Sequence, residues 1–68
     1  MSDEESVQEA HRIATEVGYA SISGTMRKMG VRFKEAAALL DELETRGLIG
    51  PRVGSKAGEL LVPWEVSA

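Results

Sequence analysis

The chain reads as a small α+β domain, a winged helix-turn-helix with three helices and a small β-hairpin wing. Three observations predict this. An apolar stripe of helical period runs from Val7 to Val17. Two further helical patterns flank the tight turn Gly30-Val31-Arg32, and two helices joined by three or four residues including Gly make a helix-turn-helix, whose second helix can lie in a DNA major groove. Behind them come Leu48-Ile49, a glycine-punctuated loop and Glu59-Leu60-Leu61-Val62, the composition of a hairpin. Sixty-eight residues form one domain, 1–68, near the lower size limit for folding without disulfides or metal.

Helix 1 is expected over about residues 3–17. Ser2-Asp3-Glu4-Glu5 is a capping-box pattern in which the Ser2 hydroxyl accepts from the Glu5 amide and the acids suit the positive helix end. Val7, Ala10, Ile13, Ala14 and Val17 form its apolar stripe, and Gly18 ends it. Ser21-Ile22-Ser23 is β-prone. Helix 2 follows over about 24–29 with Ser23 as N-cap, Met26 and Met29 facing inward and Arg27 and Lys28 outward. Helix 3 is expected over about 33–46, with Phe33, Ala36, Ala37, Leu40 and Leu43 buried and Gly47 in C-cap position. The wing spans about 48–62, punctuated by Gly50-Pro51, Gly54 and Gly58, and Pro63 breaks the strand after Val62.

The formal net charge is −3, yet it is unevenly spread. Residues 1–16 hold Asp3, Glu4, Glu5, Glu9 and Glu16 against Arg12 alone, whereas the remainder holds seven bases against six acids. From position 24 to 34 there is no acid, and Arg27, Lys28, Arg32 and Lys34 form a basic run. A local patch of this kind can bind phosphate on a domain that is acidic overall, though less tightly.

Other chemistries find little support. The chain lacks cysteine, so a disulfide framework and a Cys-based zinc site are excluded. His11 is the one histidine and is read as a partly exposed packing residue on helix 1, which rules out a paired-His metal site or a Ser-His-Asp triad within one chain. Gly54-Ser55-Lys56 has the wrong upstream spacing for a phosphate-binding loop and is read as a basic wing tip. Asp41, Glu42 and Glu44 are expected to be solvated. Met26 and Met29 are expected in the core, and Trp64 is expected to pack at its edge. No apolar run approaches the roughly 20 residues of a membrane-spanning helix. The expectation is a cytoplasmic monomer that is not an enzyme and takes no cofactor.

Several positions match a known pattern in residue type as well as in hydrophobicity. Ala20-Ser21-Ile22-Ser23-Gly24, then Arg27, then Val31-x-Phe33-x-x-Ala36-Ala37, then Gly47-Leu48-Ile49 and Glu59-x-Leu61-Val62 resemble the C-terminal gamma domain of FtsK/SpoIIIE-type DNA translocases. The resemblance covers about residues 4–63. It implies a winged helix that binds short polar, guanine-rich chromosomal sequences, that loads and orients a hexameric motor, and that touches a site-specific recombinase. The family's recognition helix opens on a Gly-Tyr-Asn-Arg-Ala-Ala-Arg pattern. Here Arg32-Phe33-Lys34-Glu35-Ala36-Ala37-Ala38 stands in its place, so Lys34, Glu35 and Ala38 replace one Asn and two Arg. Arg reads guanine through paired bonds to O6 and N7, whereas Glu accepts from the cytosine amino group.

The candidate partner is therefore double-stranded DNA. Arg32, Lys34 and Glu35 would lie near base edges, while Arg27 and Lys28, with Arg52 and Lys56 in the wing, would hold phosphates. Met1 before the acidic cap reads as a genuine start, so a free-standing domain would be an adaptor, a competitor or a small regulator from a mobile element. The alternative is a winged helix used as a protein-interaction module for a recombinase or translocase motor. It rests on the net negative charge, the acidic helix 1 and the two replaced arginines.

Overall fold

The computed structural model describes residues 3–52 and 57–65. Its elements, in order, are α1 (Glu4–Val17), β1 (Tyr19–Ala20), α2 (Ile22–Met29), α3 (Phe33–Thr45) and β2 (Gly58–Glu59). Three helices with a small antiparallel sheet make the predicted α+β winged helix.

The first helix starts on Asp3, whose carboxylate accepts from the Ser6 amide at 2.8 Å. The expected cap, Ser2, lies outside the described residues. The Ser6 amide bond holds the Asp3 carboxyl below the usual carboxylate range. Val7, Ala10, Ile13 and Ala14 are buried as the stripe predicts, but Val17 is exposed because the helix ends there, at Gly18.

The second helix begins a half-turn before the expected position. Ser21, not Ser23, is its N-cap, and its Oγ accepts from the Gly24 amide at 3.1 Å. The extended residues that precede it are Tyr19 and Ala20 instead of Ser21-Ile22-Ser23. The serine spacing explains the shift. Ser21 and Ser23 can both cap, and the buried Ala20 fixes the sheet register that selects the earlier one. Met26 and Met29 are half-buried and Thr25 is the fully buried residue of this helix.

At the centre lies α3, which packs against both α1 and α2. Ala36, Leu39, Leu40 and Leu43 are fully buried. Two flanking helices require a broad apolar face, and so Leu39, outside the single expected row, joins Leu40 in the core. Phe33 departs in the opposite sense, being 62% exposed. It occupies the first helical position, three residues before Ala36, the first buried residue of α3. The helix closes with a Schellman motif, the Gly47 amide donating to Glu44 O and the Leu48 amide to Leu43 O, both at 3.0 Å. Gly47 sits at φ +76°, where a side chain would be strained.

The sheet contains more than the wing. β2 pairs antiparallel with β1, Tyr19 opposite Glu59 and Ala20 opposite Gly58, while Leu60 bridges to Ile49 on the other side. The Gly50 amide donates to Glu59 O at 2.7 Å. Gly58 is demanded by close approach, since a Cβ there would stand 2.8 Å from the Gly50 carbonyl oxygen. The wing tip, with Gly54, Ser55 and Lys56, lies outside the described residues.

Beyond β2 the chain runs as a strap along α1. His11, expected to be partly exposed, is buried, and its Nε2 stands 2.6 Å from the Val62 carbonyl. A carbonyl only accepts, so Nε2 carries the proton. The Trp64 amide donates to Thr15 Oγ1 and the indole Nε1 to Gln8 Oε1, both at 2.7 Å. Thr15 in turn donates to His11 O at 2.9 Å, which closes a small polar network. Trp64 is half-buried, as a packing role requires.

Candidate nucleic-acid interface

Charge pairing divides the basic residues into two kinds. Arg12 bridges Glu9 and Glu16 along α1, and these carboxylates raise its pKa further. Arg46, beyond the end of α3, reaches Glu42 and crosses to Glu4 at the start of α1. Its donors hold the Glu4 carboxyl down to about 2, with Gln8 adding a weaker hydrogen bond. Arg52 leans from the wing root onto α3. There it pairs with Asp41, and its Nε stands 4.0 Å from Glu44. These three arginines are internal struts.

The other described bases are different. Arg27 and Lys28 close α2, Arg32 is the N-cap of α3, and Lys34 lies in its first turn; all four are exposed. Among the described residues none of them makes an ion pair. The turn between α2 and α3 is held by Gly30, in the left-handed region at φ +69° with its amide on Met26 O. That short connection places the last turn of α2 and the first of α3 side by side. The result is a cationic ridge on both sides of the turn, with no acid from residue 24 to residue 34 and Glu35 directly after.

Two further features belong to this ridge. Arg32 offers no side-chain hydrogen bond to the opening amides of α3, whereas Asp3 and Ser21 cap the other two helices. Those α3 amides need an acceptor from elsewhere, and a phosphate oxygen suits them. Glu35 is exposed in the same turn and contacts no base among the described residues. Ala38, also exposed, contributes only a methyl group. An open concavity lined by Ser23, Met26, Arg27, Gly30 and Val31 adjoins the turn.

Of the seven residues expected to meet DNA, Arg27, Lys28, Arg32, Lys34 and Glu35 are thus brought to one ridge. Arg52 is drawn onto α3, and Lys56 falls outside the described residues. The pairing of Arg52 has a trace in the sequence only in hindsight, because Asp41 and Glu44 sit on one exposed helix side with no cation within one turn of them on that face. Among the described residues no group of His, Cys, Asp or Glu could hold a metal ion. No described helix is long and apolar enough to cross a membrane.

The Ftsk gamma domain family model matches residues 1–63. The chain is 40% identical over 60 residues to the DNA translocase FtsK of Halalkalibacterium halodurans, a match covering 88% of the chain and 8% of that protein. It is 41% identical over 64 residues to the DNA translocase FtsK of Corynebacterium glutamicum, covering 94% of the chain and 7% of the relative. With the DNA translocase FtsK of Mycobacterium tuberculosis the identity is 50% over 44 residues, 65% of the chain and 5% of the relative. The chain spans less than a tenth of the length of these curated relatives. A match over nearly the whole chain, on a three-helix winged fold, shows that it belongs to the Ftsk gamma domain family.

Proposed function

We propose that this domain binds double-stranded DNA through α3 and recognises sequence on behalf of a DNA translocase or a mobile-element regulator. The observation that carries this reading is the ridge of unpaired cations, Arg27, Lys28, Arg32 and Lys34, in a molecule whose other described cations are all paired. Arg27 and Lys28 take phosphates, the opening amides of α3 take another, and Arg32, Lys34 and Glu35 face base edges. Lys56 at the wing tip adds a phosphate contact. Arg52 acts from its place on α3, where it offsets the repulsion that Asp41 and Glu44 would exert on the backbone. The domain itself performs no covalent chemistry and needs no cofactor. It works in the cytoplasm as a monomer, next to a translocase motor or a recombinase.

Replacing Arg27 and Lys28 by Ala should weaken binding alike on all sequences. It should also flatten the salt dependence by roughly two units of log–log slope, about one per phosphate contact. Absence of any duplex affinity in low salt for the unaltered protein would end the reading. The preferred motif should differ from the family's guanine-rich one, because Glu35 and Ala38 stand where two guanine-reading arginines are expected. The double change Glu35→Arg, Ala38→Arg should move preference toward guanine, each good bidentate pair contributing about 1–3 kcal/mol of discrimination.

A second reading is favoured by a cleft that adjoins the ridge and shares Arg27 and Lys28 with it. This cleft of about 140 Å³ lies between α1 and α2, its lining includes Ile13, Val17, Tyr19 and Thr25, and both Val17 and Tyr19 are exposed beside it. A protein partner such as a recombinase could seat there. Capture of a stoichiometric protein after nuclease treatment, with no duplex affinity, would put this reading first.

A further inference from the structure

The basic ridge contains one large apolar group. Phe33 is 62% exposed although it stands three residues before the fully buried Ala36 and seven before the fully buried Leu40. The apolar row of α3 thus extends one turn past the core. An exposed Phe by itself is ordinary on a protein surface. Its surroundings here are not. Arg32 and Lys34 flank it, both exposed and without ion pairs among the described residues. Two residues earlier, Val31 lines the open concavity with Met26 and Arg27. An apolar spot bracketed by free cations matches a surface that is apolar at one point and anionic around it. A major groove offers this at a thymine, whose 5-methyl group is the apolar point and whose flanking phosphates supply the charge.

We infer that Phe33 is a specificity-determining residue that packs on the 5-methyl group of a thymine, so the target motif contains a thymine opposite the first turn of α3. This rests on the DNA-binding reading above and adds a base contact to it. A phenyl ring has no hydroxyl to bond elsewhere and leaves only apolar contact to make. Lys34 and Glu35, the next two residues, would then read bases beside that thymine.

The test uses uracil, which is thymine without the methyl group. A motif is first selected from random duplexes at near-physiological salt. Each thymine of the selected duplex is then replaced singly by uracil, and affinity is measured for the unaltered protein and for Phe33→Ala. One position should lose about fourfold with the unaltered protein, the equivalent of the roughly 0.8 kcal/mol for burying one methylene-sized group. Phe33→Ala should be indifferent to uracil at that position, with its melting temperature unchanged. The uracil series on the unaltered protein stands even if the variant misfolds. A selected motif without thymine, uracil indifference at every position, or an equal loss in Phe33→Ala would each overturn the inference while leaving DNA binding intact. Failure to bind any duplex, with capture of a protein partner instead, would overturn both.

Discussion

The two halves of α3 are built for opposite tasks. Its C-terminal half is buried and pinned. Leu39, Leu40 and Leu43 are fully enclosed, the Schellman bonds close the last turn, and Arg46 and Arg52 bind its carboxylates to α1 and to the wing root. The N-terminal half is exposed, has no side-chain cap, and carries free charge and one exposed ring. Under the proposed function, one helix therefore serves as anchor and as reading edge. Substitutions at the buried positions Ala36, Leu39, Leu40 and Leu43 should act on stability, and those at the exposed positions from Arg32 to Ala38 on binding.

The largest separation should come from Leu40→Ala against Phe33→Ala. Removing the fully buried Leu40 should cost on the order of 2–5 kcal/mol, a large part of the stability of so small a domain. Removing the exposed Phe33 should stay within about 0.5 kcal/mol. Urea unfolding of the two variants decides it, and equal losses would mean that the two halves are not distinct. Next is Gly47→Ala, which places a Cβ at φ +76° and breaks the Schellman turn. About 1–2 kcal/mol should be lost, by the same measurement, with DNA affinity unaltered.

A sharper comparison sets helix starts against each other. Ser21→Ala removes the hydroxyl that accepts from the Gly24 amide and should cost about 1 kcal/mol. Arg32→Ala removes no cap bond, so it should leave the melting temperature in place while lowering duplex affinity. The smallest effect concerns acid. The Glu4 carboxyl titrates at about 2 in the folded chain, held there chiefly by Arg46, against an ordinary value of 4.5. A carboxylate depressed by folding stabilises fully above its unfolded value, and that contribution is lost as pH falls from about 4.5 toward 2. Thermal melts across this range should slope less steeply for Glu4→Gln than for the unaltered chain.

Much of this division can be read in the sequence, and the exceptions share a cause. Periodicity finds three helices and their stop glycines because those signals are local. It assigns Phe33 to the core since the residue continues the apolar row, but the row says nothing about where the neighbouring helices end. It passes over Leu39 because one row is the expectation for a helix with one neighbour, and α3 has two. The basic run on the ridge is visible as a run. The pairing of Arg52 with Asp41, eleven residues away, depends on how the wing root folds back. Likewise the burial of His11 depends on Val62, fifty-one residues on.

The strap that covers His11 has a practical consequence for observing the molecule in solution. The chain contains a single Trp, a single Tyr and a single Phe. They fall on three separate parts, Trp64 on the strap, Tyr19 on β1 and Phe33 at the opening of α3. Indole emission therefore follows the strap alone, through the bond from its ring nitrogen to Gln8. A fluorinated phenylalanine would give one resonance, located at the reading edge, and the tyrosine ring protons report the sheet. Three signals from the native residue set can thus be followed together in one titration, so loosening of the strap, rearrangement of the sheet and occupation of the edge are separable without introducing a foreign label site.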